Sequence, residues 1–328
     1  MRSSIEKVAK DIRTLKIQGA RNVAKAAVEA IVDSAEISKA KNKKELYKDL
    51  LKDAKILEKT RPTEPMMRNA LDDTLRFTLA WIQTNKNQDI KSLKLDLGKH
   101  YKTFLQQMQN DSQKIAEYAA NEIQSGSNIL IHCHSSTLIN SLKKAHDLKK
   151  NIHVICLETR PLYQGRLSAR ELSEYGIETT LAIDSSVGSQ MHKTDLVLTG
   201  ADAITAEGDL VNKIGTFTIA QLAHLHAVPF MCTVELFKYD PLTRFGAAEP
   251  IEQRNPLEVW GTGLYAKEIQ SDTINPPKKL QIQNPAFDKT PAAFISAYIT
   301  GEGLIPPAQL SIIARAKLNG ENYGKINI

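Results

Sequence analysis

Residues 128–158 read NILIHCHSSTLINSLKKAHDLKKNIHVICLE. The run opens with an apolar stretch of strand length, NILIHC. It continues through three hydroxyl residues into a segment with helical spacing of apolar positions. It closes on a second apolar run, HVICLE. Strand, helix and strand in that order form a βαβ unit, with the strands parallel and the helix across one face. Runs of the same kind recur downstream as TTLAI (179–183), DLVLTG (195–200) and PFMCTV (229–234). Helix-like stretches such as SARELSEYG and TFTIAQLAHLH lie between them. Strands that are apolar throughout, with no alternation, belong to a sheet covered on both faces. The expected fold class is α/β, with a Rossmann-like domain and a mainly parallel sheet over residues 123–328.

Upstream of that stretch the texture differs. IEKVAKDIRTLKI, VAKAAVEAIVDSA and ALDDTLRFTLAWI repeat apolar residues at helical spacing, and no strand-like alternation interrupts them. Residues 1–122 therefore read as a helical N-terminal domain. Pro62 and Pro65 in TRPTEP mark a loop between two of its helices.

The chain has 328 residues, 42% hydrophobic and 24% charged, which suits a globular protein of two domains. Its opening, MRSSIEKVAKDIRTLK, is too charged to be the core of a signal peptide, and no apolar run approaches a membrane span. A cytoplasmic location without membrane contact is expected. Cys133, Cys156 and Cys232 each lie in an apolar run and are too scattered for a disulfide framework. Of the net charge of +6, much sits in residues 39–59, with eight Lys against four acids. That segment has no Arg and only Tyr47 as an aromatic, so it reads as a solvated helix face with Glu45–Lys48 and Asp49–Lys52 pairs, not as a nucleic-acid surface.

In doubly wound sheets, ligands bind at the carboxyl ends of the strands. NILIHC leads into His134, Ser135, Ser136 and Thr137 at a helix start, where hydroxyls and backbone N–H groups favour an anion. HVICLE leads into Arg160, a bidentate phosphate donor, and then Gln164. DLVLTG ends at Asp202, a candidate acid/base, and Asn212, Lys213 and Gly215 follow at the opening of another helix. Each residue has a plainer reading. Cysteines in apolar strands usually pack, an Asp can cap a helix, and an Arg can form a surface ion pair. Convergence on one rim favours chemistry. A metal site at His132, Cys133 and His134 is disfavoured, because strand alternation would place the cysteine opposite the two histidines. Gly261-Thr262-Gly263 lacks the third glycine of a dinucleotide fingerprint and reads as a loop.

The motifs HCHSS, ETRPLYQGRLSARELSEYGIETTLAIDSSVG, TGADAI, EGDLVNKIGT and NPAFDKTP, with IQGARNVAKAA and TRPT upstream, resemble in order and spacing the superfamily of initiation factor two-B subunits and methylthioribose-1-phosphate isomerases. The resemblance spans nearly the whole chain. It implies catalytic roles for Cys133 and Asp202, a pair that non-catalytic translation subunits of the superfamily lack. It implies substrate contacts at Gly19, Ala20, Arg61, Ser135, Ser136, Arg160, Gln164, Asn212 and Lys213. The implied reaction is aldose–ketose isomerisation of ribose 1,5-bisphosphate to ribulose 1,5-bisphosphate in AMP catabolism. Methylthioribose 1-phosphate is the alternative substrate, and a regulatory translation subunit is the alternative role. The short start before Gly19 and the tail NPAFDKTPAAFISAYITGEGLIPP match the bisphosphate branch better. No cofactor is expected, since electrons stay within the sugar. The resemblance further implies a homo-oligomer built from dimers and reaching a hexamer, with AMP as activator. AVPFMCTVELF fits a buried contact or a core strand equally well. Two departures stand out: Gln18 replaces the usual Arg before the glycine–alanine pair, and EPMMRNAL replaces small and apolar residues after TRPT. Arg21, Lys25 or Arg68 are the candidates to supply the missing charge.

Overall fold

The computed structural model describes residues 2–61, 63–260 and 276–319; Pro62 and Gly261-Thr262-Gly263 lie outside the described residues. Five helices come first: α1 (Arg2–Arg13), α2 (Ala20–Ile37), α3 (Lys43–Glu58), α4 (Pro65–Thr84) and α5 (Ile90–Glu122). Their spacing explains how they pack. Val23, Ala27 and Ile31 of α2 recur every four residues and meet Leu46, Leu50 and Leu57 of α3 and Met67, Leu71 and Leu75 of α4 in one core. The next stripe round α2 is also apolar. Ala20, Ala24, Val28 and Val32 join Met66 and Ala70 of α4 in a second core, shared with the sheet. α2 is thus buried on two sides, and this packing fixes where its N-terminus sits.

The Lys-rich segment forms α3, with Leu46, Leu50, Ala54 and Leu57 inward. Lys52 lies 3.4 Å from Asp49 as expected. Glu45 does not turn toward Lys48. It accepts from the Lys41 N–H and the Asn42 amide while Asn42 accepts from the Glu45 N–H, a reciprocal cap at the helix start. Lys43 caps the chain after α4, donating to the carbonyls of Asn85, Lys86 and Gln88.

The α/β expectation holds. β1 (Asn128–Ile131), α6 (Ser136–Asp147), β2 (His153–Leu157), α7 (Gln164–Glu174) and β3 (Glu178–Ala182) follow in order. Next come α8 (Val187–Met191), β4 (Leu196–Thr199), β5 (Ala203–Ile204), β6 (Leu210–Lys213), α9 (Thr216–Leu225) and β7 (Phe230–Thr233). After α10 (Leu257–Trp260) the chain forms β8 (Phe287–Thr290), β9 (Ala297–Thr300), β10 (Gly303–Ile305) and α11 (Pro307–Asn319). The main sheet has the order β10-β9-β7-β4-β1-β2-β3 and is parallel except for β10. β1 is central: Ile129 pairs with Val154 on one side and Leu196 on the other. Ile129, Leu130 and Ile131 are fully buried, each contributing about 1.5–3 kcal/mol. AVPFMCTVELF resolves as interior strand β7, with Phe230, Cys232 and Val234 in the core, so it is not a contact surface.

Two features depart from the sequence reading. β5, β6 and β8 form a separate antiparallel sheet, so Asn212 and Lys213 end a strand before α9 begins. The strand expected over NILIHC also stops at Ile131, and Cys133 adopts a left-handed φ of 68°. The alternation used against a metal site therefore does not apply. His132 and His134 nonetheless turn to different partners, the Ile214 carbonyl and Ser168 Oγ.

Candidate active site

The strand order reverses between β1 and β4, and the crevice at that point is where a doubly wound sheet receives ligands. A cavity of about 600 Å³ opens there, between the strand ends and the first turn of α2. Cys133 and Asp202 both line it. So do Gly19, Ala20 and Arg61 from the helical region, Ser135 and Ser136 at the start of α6, Gln164 at the start of α7, and Asn212 and Lys213 at the end of β6.

Cys133 is clamped in its left-handed turn. Its N–H donates to Thr159 Oγ1 at 2.9 Å, and its carbonyl accepts from Ser168 Oγ at 2.9 Å. Such a conformation costs energy that the surrounding hydrogen bonds offset, and strained turns of this kind cluster at functional sites. The residue is half-buried and lines the cavity. Burial pushes its thiol up to about 11, partly countered by the nearby Lys213. At neutral pH Cys133 carries a proton it can give away. Cys156 and Cys232 are buried free thiols in the core.

Asp202 is held by its backbone, its N–H donating to the Val211 carbonyl at 2.9 Å. Beneath it lies a buried ion pair that sequence reasoning missed. Lys238 Nζ is 3.3 Å from Glu235 Oε2 and donates to the Ala201 carbonyl at 2.8 Å. Burial disfavours the Lys238 charge, but Glu235, Asp202 and Glu64 outweigh it and raise its pKa. Burial likewise opposes the Glu235 charge, yet Lys238 and Arg21 hold that carboxyl below its ordinary value. Reading the end of β7 as the other strand ends were read would have found this pair in TVELFK. Asn69 of α4 fixes the turn by donating to the Phe237 and Tyr239 carbonyls, both at 2.7 Å.

Two long helices aim their first turns at the cavity. α2 starts at Ala20 after Gly19, whose φ of 80° lets the chain turn sharply into the helix. α6 starts at Ser136, with Ser135 accepting from the Leu138 N–H. First-turn N–H groups lack intrahelical partners and carry partial positive charge, so each start is an anion seat. The start of α9, which follows Asn212, Lys213 and Gly215, is not such a seat. Asp288 already caps α9, accepting from Gly215 N–H at 2.7 Å and Phe217 N–H at 3.2 Å. The D of NPAFDKTP was the signal.

The lining is strongly cationic: Arg21, Lys25, Arg61, Lys213, Lys238 and Arg254 against Glu64 and Asp202. Arg21 and Lys25 thus supply charge near Gln18, which also lines the cavity while its amide donates to the Leu15 carbonyl. Arg68 does not, being paired with Asp240 at 3.0 Å outside the lining. Arg254 went unread. It is gripped by Glu258, with Nη2 2.8 Å from Oε1. Arg160 is the exception among the expected contacts. It is not in the lining; its guanidinium donates to Tyr163 Oη at 2.6 Å and to the Val259 carbonyl at 3.4 Å, and it stacks on the Tyr163 ring. Its backbone N–H donates to Asp184 at 2.7 Å, so the residue buttresses the turn after β2.

The histidines serve the scaffold. His132 is buried between the Ile214 carbonyl at 2.9 Å and Thr159 Oγ1 at 3.3 Å, and burial lowers its pKa. His134 turns the other way, to Ser168 Oγ at 3.0 Å; burial lowers its pKa too, partly countered by Glu171. Among the described residues no group of three His, Cys, Asp or Glu could hold a metal ion. No helix among them is long and apolar enough to cross a membrane.

The fold and site define a class: a doubly wound α/β chain whose switch-point crevice holds a thiol, a carboxylate and two helix starts under a cationic lining. The chain belongs to the initiation factor 2 subunit family, whose sequence profile matches residues 16–307. It is 39% identical over 301 residues to ribose 1,5-bisphosphate isomerase of Pyrococcus furiosus, covering 92% of this chain and 90% of that one. It is 37% identical to the protein of the same name from Thermococcus kodakarensis, covering 92% and 90%. Among solved structures, 5-methylthioribose 1-phosphate isomerase from Pyrococcus horikoshii OT3 superposes with a TM-score of 0.75 at 28% identity, covering 98% of this chain and 88% of that one.

Proposed function

We propose that this chain is an aldose–ketose isomerase converting ribose 1,5-bisphosphate to ribulose 1,5-bisphosphate. The observation that carries the reading is the placement of Cys133 and Asp202 on one cavity with a cationic lining and two helix starts. A pentose with phosphate at both ends needs two anion seats, and a reacting centre between them.

The anomeric oxygen carries phosphate, so the ring opens only if its own oxygen is protonated. The Cys133 thiol gives that proton as the C1–O bond breaks. The resulting thiolate removes the proton from C2, and the electrons left behind form the C1–C2 double bond of an enol phosphate. Asp202 then takes the C2 hydroxyl proton while the thiol, now re-protonated, delivers a proton to C1. Two protons leave C2 and its hydroxyl, and two arrive at the ring oxygen and C1. Exchange with water returns Asp202 and Cys133 to their starting states. A thiol whose burial keeps it protonated supports the acid role, and its thiolate is correspondingly basic. Arg61, Lys213 and the α2 and α6 starts seat the phosphates, with Gln164 and Asn212 on the sugar.

The reading includes a helical domain over residues 1–122 and a catalytic domain over residues 123–328. It also includes a cytoplasmic homo-oligomer of dimers that reaches a hexamer, activation by AMP, and a place in AMP catabolism. Leu181 in edge strand β3 and Ile183 just after it are 48% and 58% exposed, as an edge covered by another copy would be.

The test is a comparison of kcat/KM for ribose 1,5-bisphosphate, methylthioribose 1-phosphate and ribose 5-phosphate. The bisphosphate should have the highest value. Leu15, Leu162 and Leu167 in the lining favour the methylthio sugar as the second reading, and a higher value for that substrate would make it the right one.

A further inference from the structure

Glu64 is out of place in an anion site. It lines the cavity with 1% of its surface exposed, just before α4. Oε1 lies 3.4 Å from Arg61 Nη1, whereas Oε2 is buried with no hydrogen-bond partner. The neighbouring Arg61 Nε is buried and unpartnered as well. A carboxylate here repels phosphate and carries a heavy desolvation cost. An ion pair serving structure alone would use its acceptors more fully, since an unsatisfied buried acceptor is itself unfavourable.

The part of a sugar bisphosphate that attracts a carboxylate is its hydroxyls, through short charge-assisted bonds. The charged groups around Glu64 set which hydroxyl it can serve. Arg61 faces it from its own loop, Asp202 from the end of β4, Lys238 from the turn after β7 and Glu252 from the loop beyond. Glu64 therefore shares the cavity with Asp202 and lies near enough to feel its charge. Asp202 is committed to the C2 hydroxyl. The adjacent C3 hydroxyl is present in both substrate and product and takes no part in the proton transfers.

We propose that Glu64 is a specificity-determining residue whose free carboxylate oxygen accepts the C3 hydroxyl of the pentose, while Arg61 beside it takes a phosphate. The assignment rests on the isomerase reading above. Burial pushes the Glu64 carboxyl up to about 7, so the bond is best measured at pH 8, where the acceptor is mostly ionised.

The experiment is calorimetric titration of the full chain with two probes. Ribulose 1,5-bisphosphate carries both phosphates and the hydroxyls; 1,5-pentanediol bisphosphate carries both phosphates and no hydroxyl. Glu64→Ala should weaken the sugar probe by about tenfold to a hundredfold and leave the diol probe unchanged or tighter. Glu64→Gln, which keeps shape and an acceptor, should show a smaller loss confined to the sugar probe, and it decides the matter if the alanine variant does not fold. Equal losses for both probes, or no loss, overturn the assignment. The isomerase reading fails separately, through a wild-type chain that does not turn over ribose 1,5-bisphosphate. A wild-type chain that bound neither probe would overturn both.

Discussion

Cys133 and Asp202 line one cavity because the ends of β1 and β4 lie side by side, and burial raises the pKa of the Cys133 thiol. Cys133→Ser and Asp202→Asn should each fold normally and lose turnover by about a hundred- to ten-thousand-fold, the usual effect of removing a general acid/base. Steady-state assays beside melting curves check this; near-wild-type activity in either variant would refute the roles. Glu64 supports a prediction about stability. Its folded pKa of about 7 lies above the 4.5 of an ordinary glutamate. The unfolded chain therefore releases this proton first, and stability present below about pH 4.5 is lost as pH rises through 7. The loss is on the order of 3 kcal/mol. Glu64→Gln should match wild type at pH 5 and melt higher at pH 8. A variant melting lower at pH 8 would mean the carboxylate is a net stabiliser. Cys133, Asp202 and Lys213 were singled out from the ends of strands, Arg61 only through the family resemblance, and all four line the cavity. Glu64 and Lys238 were not singled out, because an acid and a lysine acquire a role here only through the burial that surrounds them.

Helices and strands were legible where their periodicity was long. β1, β2, β4 and β7 fall within the apolar runs that announced them, and β3 begins one residue ahead of its run. The second sheet was not, since its strands run from two to four residues and pair across a long stretch of chain. The seating of α7 against β2 is decided by one residue. A Cβ on Gly165 would lie 1.7 Å from the Leu157 carbonyl oxygen, which is backbone and cannot yield. Gly165→Ala should therefore destabilise the protein by about 3 kcal/mol, as overpacking does, and displace Gln164 at the start of α7. A melting temperature equal to wild type would show that the helix slides freely over the strand. Asp288 offers a milder case. Asp288→Ala should cost about 1 kcal/mol by uncapping α9, with little effect on a cavity that α9 does not line.

Across the molecule, the helical region and the sheet share a core. Ala24, Val28 and Met66 pack in one cluster with Leu130, Val197 and Phe230. The two regions should therefore unfold together, giving a single calorimetric transition. Two well-separated peaks would show that the shared cluster is too weak to couple them. The exposed edge at Leu181 and Ile183 belongs to the same scale. Light scattering should return a multiple of the chain mass at micromolar concentration, and a single-chain mass would refute the assembly.

The sequence by itself determined the α/β class, the helical start and the strand ends that carry the site, because hydrophobic period and chain order are local properties that any sequence displays. Only the tertiary structure decided which of those ends converge. It placed Arg160 against Tyr163 and the backbone, gave the α9 start to Asp288, and turned Cys133 out of its strand. It also brought Glu64, Lys238 and Arg254 to one cavity from segments far apart in the chain. A side chain's partner and its proton depend on burial and on neighbours brought by packing, and neither is written in local sequence.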